Sequence, residues 1–171
     1  MAYCNVTLAG IGSACEKSKG GLNKVYLANY KDNVFTVADG AVTGVDTGVT
    51  FYEYNFKKGV CSLTSTLNVD ATNGVNYVSS ELTIQFNKMD TAKRIEVGAL
   101  SVGDLVGIAV DGNGKYYALG VESPLTATSG SAQTGAQRTD GNFYQIVLGD
   151  EQDSYPPILT DEAIAQIKVN E

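Results

Sequence analysis

The chain has 171 residues, 43% of them apolar, which is enough for one domain with a sizeable core. Nineteen glycines, ten tyrosines and only three prolines, among many Thr, Val and Asn, favour short strands joined by turns over a helix bundle. A formal net charge of −7 excludes a surface built to clamp nucleic-acid phosphates, and the absence of histidine excludes Ser-His-Asp and Cys-His catalysis and His-ligated metals.

In chain order, residues 1–20, "MAYCNVTLAGIGSACEKSKG", have no sustained period and read as an N-terminal arm. The segment lacks the basic and apolar regions of a signal peptide, and no apolar run approaches the roughly 20 residues of a membrane span, so a soluble chain made in a cytoplasm is expected. "LNKVYLANY" (22–30) is β-rich, and "NVFTVADGAVTGV" (33–45) reads as a strand, an Asp39-Gly40 turn and a short return. From residue 51 the alternation is cleaner. Tyr52, Tyr54 and Phe56 share one face, as core residues would, Lys57-Lys58-Gly59 makes a turn, and Cys61, Leu63, Ser65, Leu67 and Val69 share a face on the return, which predicts an antiparallel pair. Asn73-Gly74 reverses the chain again before "NYVSSELTIQFN" (76–87), where Leu82, Ile84 and Phe86 alternate with Thr83, Gln85 and Asn87.

"DTAKRIEVGALSVGD" (90–104) breaks the two-residue period. Ala92, Ile95, Ala99 and Val102 fall at helical spacing behind an Asp90 N-cap, which predicts one amphipathic helix. "LVGIAVD" (105–111) and "KYYALGVE" (115–122) are β segments around Gly112-Asn113-Gly114. The stretch 123–142, "SPLTATSGSAQTGAQRTDGN", is poor in large apolar residues and is expected to be a long exposed loop. "FYQIVLGDE" (143–151) is a strand, and "TDEAIAQIKVNE" (160–171) follows a Tyr155-Pro156-Pro157 break as a short helix or extended tail capped by Thr160 or Asp161. The predicted fold is mainly β, an antiparallel β-sandwich or small barrel over 21–157, with one inserted α-helix near 90–102 and a C-terminal tail or short helix over 158–171.

Each chemical motif has a structural reading that fits better. "DGNGKYYALGVE" (111–122) places oxygen ligands at Asp111, Asn113 and Glu122 as a helical calcium loop does, but Lys115 puts a cation where an acceptor is needed and Tyr116 stands where the turn demands Gly. A hairpin is expected instead, with Tyr116, Ala118 and Gly120 on one face and Tyr117, Leu119 and Val121 on the other. "GIGSAC" (10–15) has Cys15 in place of the third glycine of a dinucleotide fingerprint, with no strand before it. Cys4, Cys15 and Cys61 have no CxxC spacing and are read as buried thiols. The carboxylates of "GDEQD" (149–153) are read as a solvated turn, Lys57-Lys58 as a turn and Lys93-Arg94 as an exposed helix face, either able to meet an acidic patch on a neighbouring subunit. No catalytic, cofactor-binding or metal-binding residue is assigned, and the chain is not expected to be an enzyme.

The succession "GGLNKVYLANY", "FYEYNFKKG", "NGVNYVSSELTIQFNKMDTAKRIEVGAL", "LVGIAVDGNGKYYALG", a Gly-Thr loop and "GNFYQIVLGDEQDSYPP" resembles a family of small virion structural proteins encoded by tailed phages of gut Bacteroidetes, over roughly residues 15–157. The β–helix–β layout with one long loop also resembles the tail tube fold shared with secretion-system and pyocin tubes. The resemblance implies a subunit, made in the bacterial host cytoplasm and resident in the virion, that closes into hexameric rings stacked as a conduit. DNA would pass as non-specific cargo along an electronegative lumen, and other tail or head proteins would be partners. It also implies a long early hairpin, within 30–55 or 56–75, that clasps the neighbouring ring, with the 123–142 loop as a ring-to-ring contact. Capsid decoration, connector or tail-completion proteins share this composition, and a carbohydrate- or surface-binding module using the tyrosines as a stacking platform is the reading from a different class.

Overall fold

The computed structural model describes residues 3–13, 15–57 and 59–170. Its elements in chain order are β1 (Leu22–Asn29), β2 (Phe35–Ala38), β3 (Ala41–Val45), β4 (Thr50–Asn55), β5 (Ser62–Asp70), β6 (Val75–Asn87), α1 (Thr91–Val102), β7 (Leu105–Asp111), β8 (Tyr116–Leu119), β9 (Thr126–Gln133), β10 (Phe143–Gln152), β11 (Ile158–Leu159), α2 (Asp161–Ala165) and β12 (Lys168–Val169). Strands β12-β4-β1-β7-β8-β11-β3-β2 form one sheet, and β5-β6-β10-β9 form a second. The chain is mainly β, as its composition predicts, with antiparallel pairing except for the parallel pairs β3–β11 and β4–β12.

The larger sheet has a core on each face. Tyr26 and Ala28 of β1, Val106, Ile108 and Val110 of β7, Phe51, Val42 and Phe35 pack with Leu159 and Ala163 inside the curl of this sheet. The alternate residues Val25 and Leu27 of β1 and Leu105 and Ala109 of β7 meet Leu82 and Ile84 of β6 and Ile146 and Leu148 of β10 between the two sheets. Strands β1 and β7 are therefore buried on both faces, which explains why "LVGIAV" reads as a continuous apolar run where an alternating one marks a half-buried strand. Gly107 is the one position in this wall without a side chain, because a Cβ there would lie 2.9 Å from Leu27 Cδ2. Residues 158–170 close the curl: β11 pairs with β3, α2 packs on β3, Gln166 Oε1 accepts the Val45 N–H at 2.8 Å, and β12 pairs with β4. Thr160 is the N-cap of α2, accepting from Ala163 N.

Three expectations are corrected. The segments 51–56 and 61–69 do not pair: β4 lies between β1 and β12, while β5 pairs with β6 in the other sheet. Alternation fixes which side chains share a face but not which strand lies alongside, and Phe56, Val60 and Cys61 fill the space where the chain crosses between sheets. Within β4 it is Phe51 that is fully buried, while Tyr52 is exposed. The expected loop 123–142 contains the eight-residue strand β9, whose small residues pair with β10 through backbone hydrogen bonds at the sheet edge. Lys58, in the predicted turn, lies outside the described residues.

The third correction concerns α1. Asp90 caps it as predicted, its carboxylate accepting the Lys93 N–H at 2.8 Å. The face turned inward, however, carries Lys93, Val97 and Leu100, and the apolar stripe of Ala92, Ile95, Ala99 and Val102 faces outward, with Ile95 63% and Val102 86% exposed. Two polar ties set this rotation. Lys93 Nζ donates to the carbonyls of Asn87 and Lys88 at the end of β6, and the Tyr54 hydroxyl bonds the Glu96 carboxylate. Burial, and then the adjacent Glu96 carboxylate, push the Tyr54 phenol well above its ordinary range, so it stays a donor throughout the accessible pH range. Leu100→Ala should cost about 2–4 kcal/mol in urea unfolding, whereas Ile95→Lys and Val102→Lys should each stay within about 0.5 kcal/mol; equal costs at all three would refute the observed rotation.

Candidate functional site

The "DGNGKYYALGVE" stretch forms the β7–β8 hairpin, with Tyr116 and Ala118 on the curl side and Leu119 between the sheets. Asp111 Oδ1 accepts the N–H groups of Asn113 (2.9 Å) and Lys115 (2.8 Å), and Oδ2 accepts from Asn113 Nδ2 and the Tyr117 hydroxyl, each at 3.2 Å. Burial alone would raise this carboxyl, but the Lys115 and Asn113 donors together outweigh it and hold it below the ordinary range. Both oxygens are thus occupied by donors of their own hairpin. Asn113 also grips the root of the arm, accepting the Lys19 N–H at 2.8 Å and donating to the Lys19 carbonyl at 3.1 Å.

Of the carboxylates of "GDEQD", Glu151 and Asp153 are exposed, but Asp150 does not lie in a solvated turn. Residues 149–152 continue β10, and Asp150 and Gln152 point inward and are buried. Asp150 Oδ2 accepts the Gly120 N–H at 2.8 Å, Gln152 Oε1 accepts the Glu122 N–H at 2.8 Å, and Gln152 Nε2 donates to Asp150 Oδ2 at 3.1 Å. Ser123 Oγ donates to the Glu151 carbonyl, and Glu122 Oε2 accepts the Asp153 N–H. These bonds clamp residues 120–123, the exit of the larger sheet, to the end of the smaller one. Gly120 is required there: its φ is +74° and a Cβ would lie 2.9 Å from the Leu105 carbonyl oxygen. Inward position followed by inward position, D-x-Q after the apolar Ile146 and Leu148, was the available signal for this clamp.

Asp150 Oδ1 is buried and has no hydrogen-bond partner among the described residues, and the facing Ser80 hydroxyl is 2.9 Å from Ser65 Oγ. Burial pushes the Asp150 carboxyl up, only partly offset by the Gly120 N–H and the Gln152 amide. Among the described residues no other carboxylate acts on it as the partner in an acid–base pair would. The crevice beside the clamp, about 430 Å³, is open and lined chiefly by Ser and Thr with Glu81, Asp150 and Glu151. Among the described residues no group of three or more His, Cys, Asp or Glu is placed to hold a metal ion.

The remaining candidates are scattered. Cys61 is buried as expected, with its thiol pushed up by burial, but Cys4 and Cys15 are exposed on the arm. Their burial was expected from residue type alone, and the arm has no core to enter. Lys93 is committed to Asp90 and the end of β6, while Arg94 is exposed. The described part of "GIGSAC" has no regular structure, and no strand precedes it there. Among the described residues no helix is long and apolar enough to cross a membrane. No family model, curated protein or solved structure matches the chain.

What sequence reasoning missed is a set of uncovered surfaces. Tyr3, Val6, Leu8 and Ile11 of the arm, Leu67, Val69 and Val75 near the tip of the β5–β6 hairpin, and Ile95 and Val102 on α1 are all exposed. In the smaller sheet both outer strands, β5 and β9, have an unpaired edge among the described residues.

The folded chain binds a proton on Asp150 at pH values where the unfolded chain has released it, so the ionised carboxylate costs stability at neutral pH, and that cost fades as pH falls toward roughly 4. Asp150→Asn keeps an acceptor for Gly120 and removes the charge. It should raise stability at pH 7 by about 1 kcal/mol or more, with the gain shrinking on acidification. A loss of stability of equal size at pH 7 and pH 4, in parallel denaturant titrations, would sink this account.

Proposed function

We propose that this chain is a structural subunit that works by self-association: a phage tail tube protein whose copies close into rings, hexameric by the resemblance, that stack into a conduit for DNA. The observation that carries the reading is the pairing of unprotected sheet edges with exposed apolar side chains. A monomer that leaves the outer edges of β5 and β9 unpaired among the described residues, without Pro or Lys to blunt them, is a template for strand addition by another chain. Exposed apolar residues that continue a core stripe, as Leu67 and Val69 continue Leu63 on β5, are surfaces an assembly would cover.

Two further features support it. The β5–β6 hairpin, residues 62–87, supports the reading as a long hairpin that begins within the expected 56–75 and extends past it, with strands of nine and thirteen residues against four and five in the β2–β3 hairpin. The net charge of −7 suits a lumen wall over which phosphates slide without sticking. The same charge makes subunits repel one another, so screening should favour assembly.

Negative-stain microscopy of the purified full chain should show rings about 80–100 Å across, or tubes, more abundant at roughly 0.5 M salt than at low ionic strength. A monodisperse monomer at high concentration under both conditions, retained on a glycan column, would replace this reading with a surface-binding module.

A further inference from the structure

Residues 3–11, "YCNVTLAGI", have no regular secondary structure and pair with no sheet. Cys4, Val6 and Leu8 are spaced so that an added strand would carry all three on one face, every described residue of the arm is exposed, and Ile11 is fully so, at 101%. The matching vacancy is on β5. Its outer edge is unpaired among the described residues, "SLTSTLNV" carries no charge and no proline, and its inward stripe Leu63, Ser65, Leu67, Val69 runs out beyond the core until Val69 is 65% exposed. A strand laid on that edge with Cys4, Val6 and Leu8 inward would extend the sheet and cover Leu67 and Val69. The β9 edge fits less well, because its exposed half, "SGSAQ", offers only small or polar side chains.

We infer that the arm of one copy adds as a strand to the β5 edge of a second copy. Chain length argues for a neighbour over the same molecule. Residues 18–21, held by Asn113, line the same crevice as Ser62, Leu63 and Ser65 at the start of β5. From Ser65 to Asp70 is about 17 Å of strand, and the spacer 12–17 extends to about 20 Å, so an extended arm clears the tip of its own β5 before its apolar segment begins. Self-docking would require the spacer to double back. The inference rests on the self-association part of the proposed function and names the contact that carries it.

Cysteine cross-linking of the full chain tests it. In a Cys15→Ser background, Val69→Cys and, separately, Leu63→Cys place a thiol at either end of the β5 ledge for the native Cys4. Mild oxidation should give disulfide-linked oligomers in which the Cys4 peptide is joined to the β5 peptide carrying the introduced thiol, and the preferred site reports the strand direction. A link confined to monomers, no link at either site, or a link only to Ser131→Cys on β9 overturns the inference. Val6→Asp with Leu8→Asp, on an arm outside the core, should weaken self-association measured by sedimentation at least roughly tenfold per side chain. Rings that persist unchanged in that variant remove the arm contact while leaving the assembly reading intact; a wild-type chain that stays monomeric removes both.

Discussion

Everything in this fold hangs on the β1–β7 pair. Burial on both faces makes it the common wall of two cores, so side chains of opposite parity on the same strands hold different halves of the molecule. Tyr26, Val106 and Ile108 organise the curled part of the larger sheet, while Val25, Leu27 and Ala109 recruit the smaller sheet and α1. Close packing on both sides leaves no slack: Gly107 sits where Leu27 and Leu125 meet, and a one-residue slip of β7 would exchange the two sets of side chains between cores of different shape.

The polar clamp at residues 120–123 and 150–153 belongs to the same design. Apolar packing between sheets is non-directional, and hydrogen bonds from Gly120 and Glu122 to Asp150 and Gln152 fix the relative position of the sheets at one end. The buried charge is an energetic liability at neutral pH, which separates orientation from stability as the role of this network. With both cores satisfied internally, the most exposed apolar side chains among the described residues lie chiefly on the arm, near the tip of the β5–β6 hairpin and on the outer face of α1. Those surfaces lie outside the part of the chain that folding itself completes.

Local signals in the sequence were dependable and partner choice was not. The Asp90 cap, the turns at Asp39-Gly40 and Asn73-Gly74, the alternation of β6 and the hairpin after Asp111 all depend on residues close in the chain, and each was legible. The rotation of α1 was not, because it is set by Lys93 reaching the carbonyls of Asn87 and Lys88 and by Glu96 meeting Tyr54, contacts that overrule a weak apolar stripe. Strand β9 was hidden because an edge strand paired through its backbone needs no large side chain. Asp150 was misjudged for a related reason: acidic residues near a turn usually face water, and only its parity with Ile146 and Leu148 placed it inside. The charge, the lack of histidine and the missing motifs bounded the chemistry, but the uncovered surfaces became visible only once burial could be assigned residue by residue.

The anchoring of Lys19 to Asn113 gives the arm a mechanical character. The arm enters the fold at Leu22, the first residue of a strand hydrogen-bonded along its length to β7 and, over Lys24–Leu27, to β4. A pull along β1 therefore loads two ladders in shear, so that their hydrogen bonds resist together, whereas peeling an edge strand breaks them one after another. The Asn113 grip adds a tie just ahead of that strand. Tension on the arm is delivered to a strand of the wall that both cores share, which cannot yield without opening the two together.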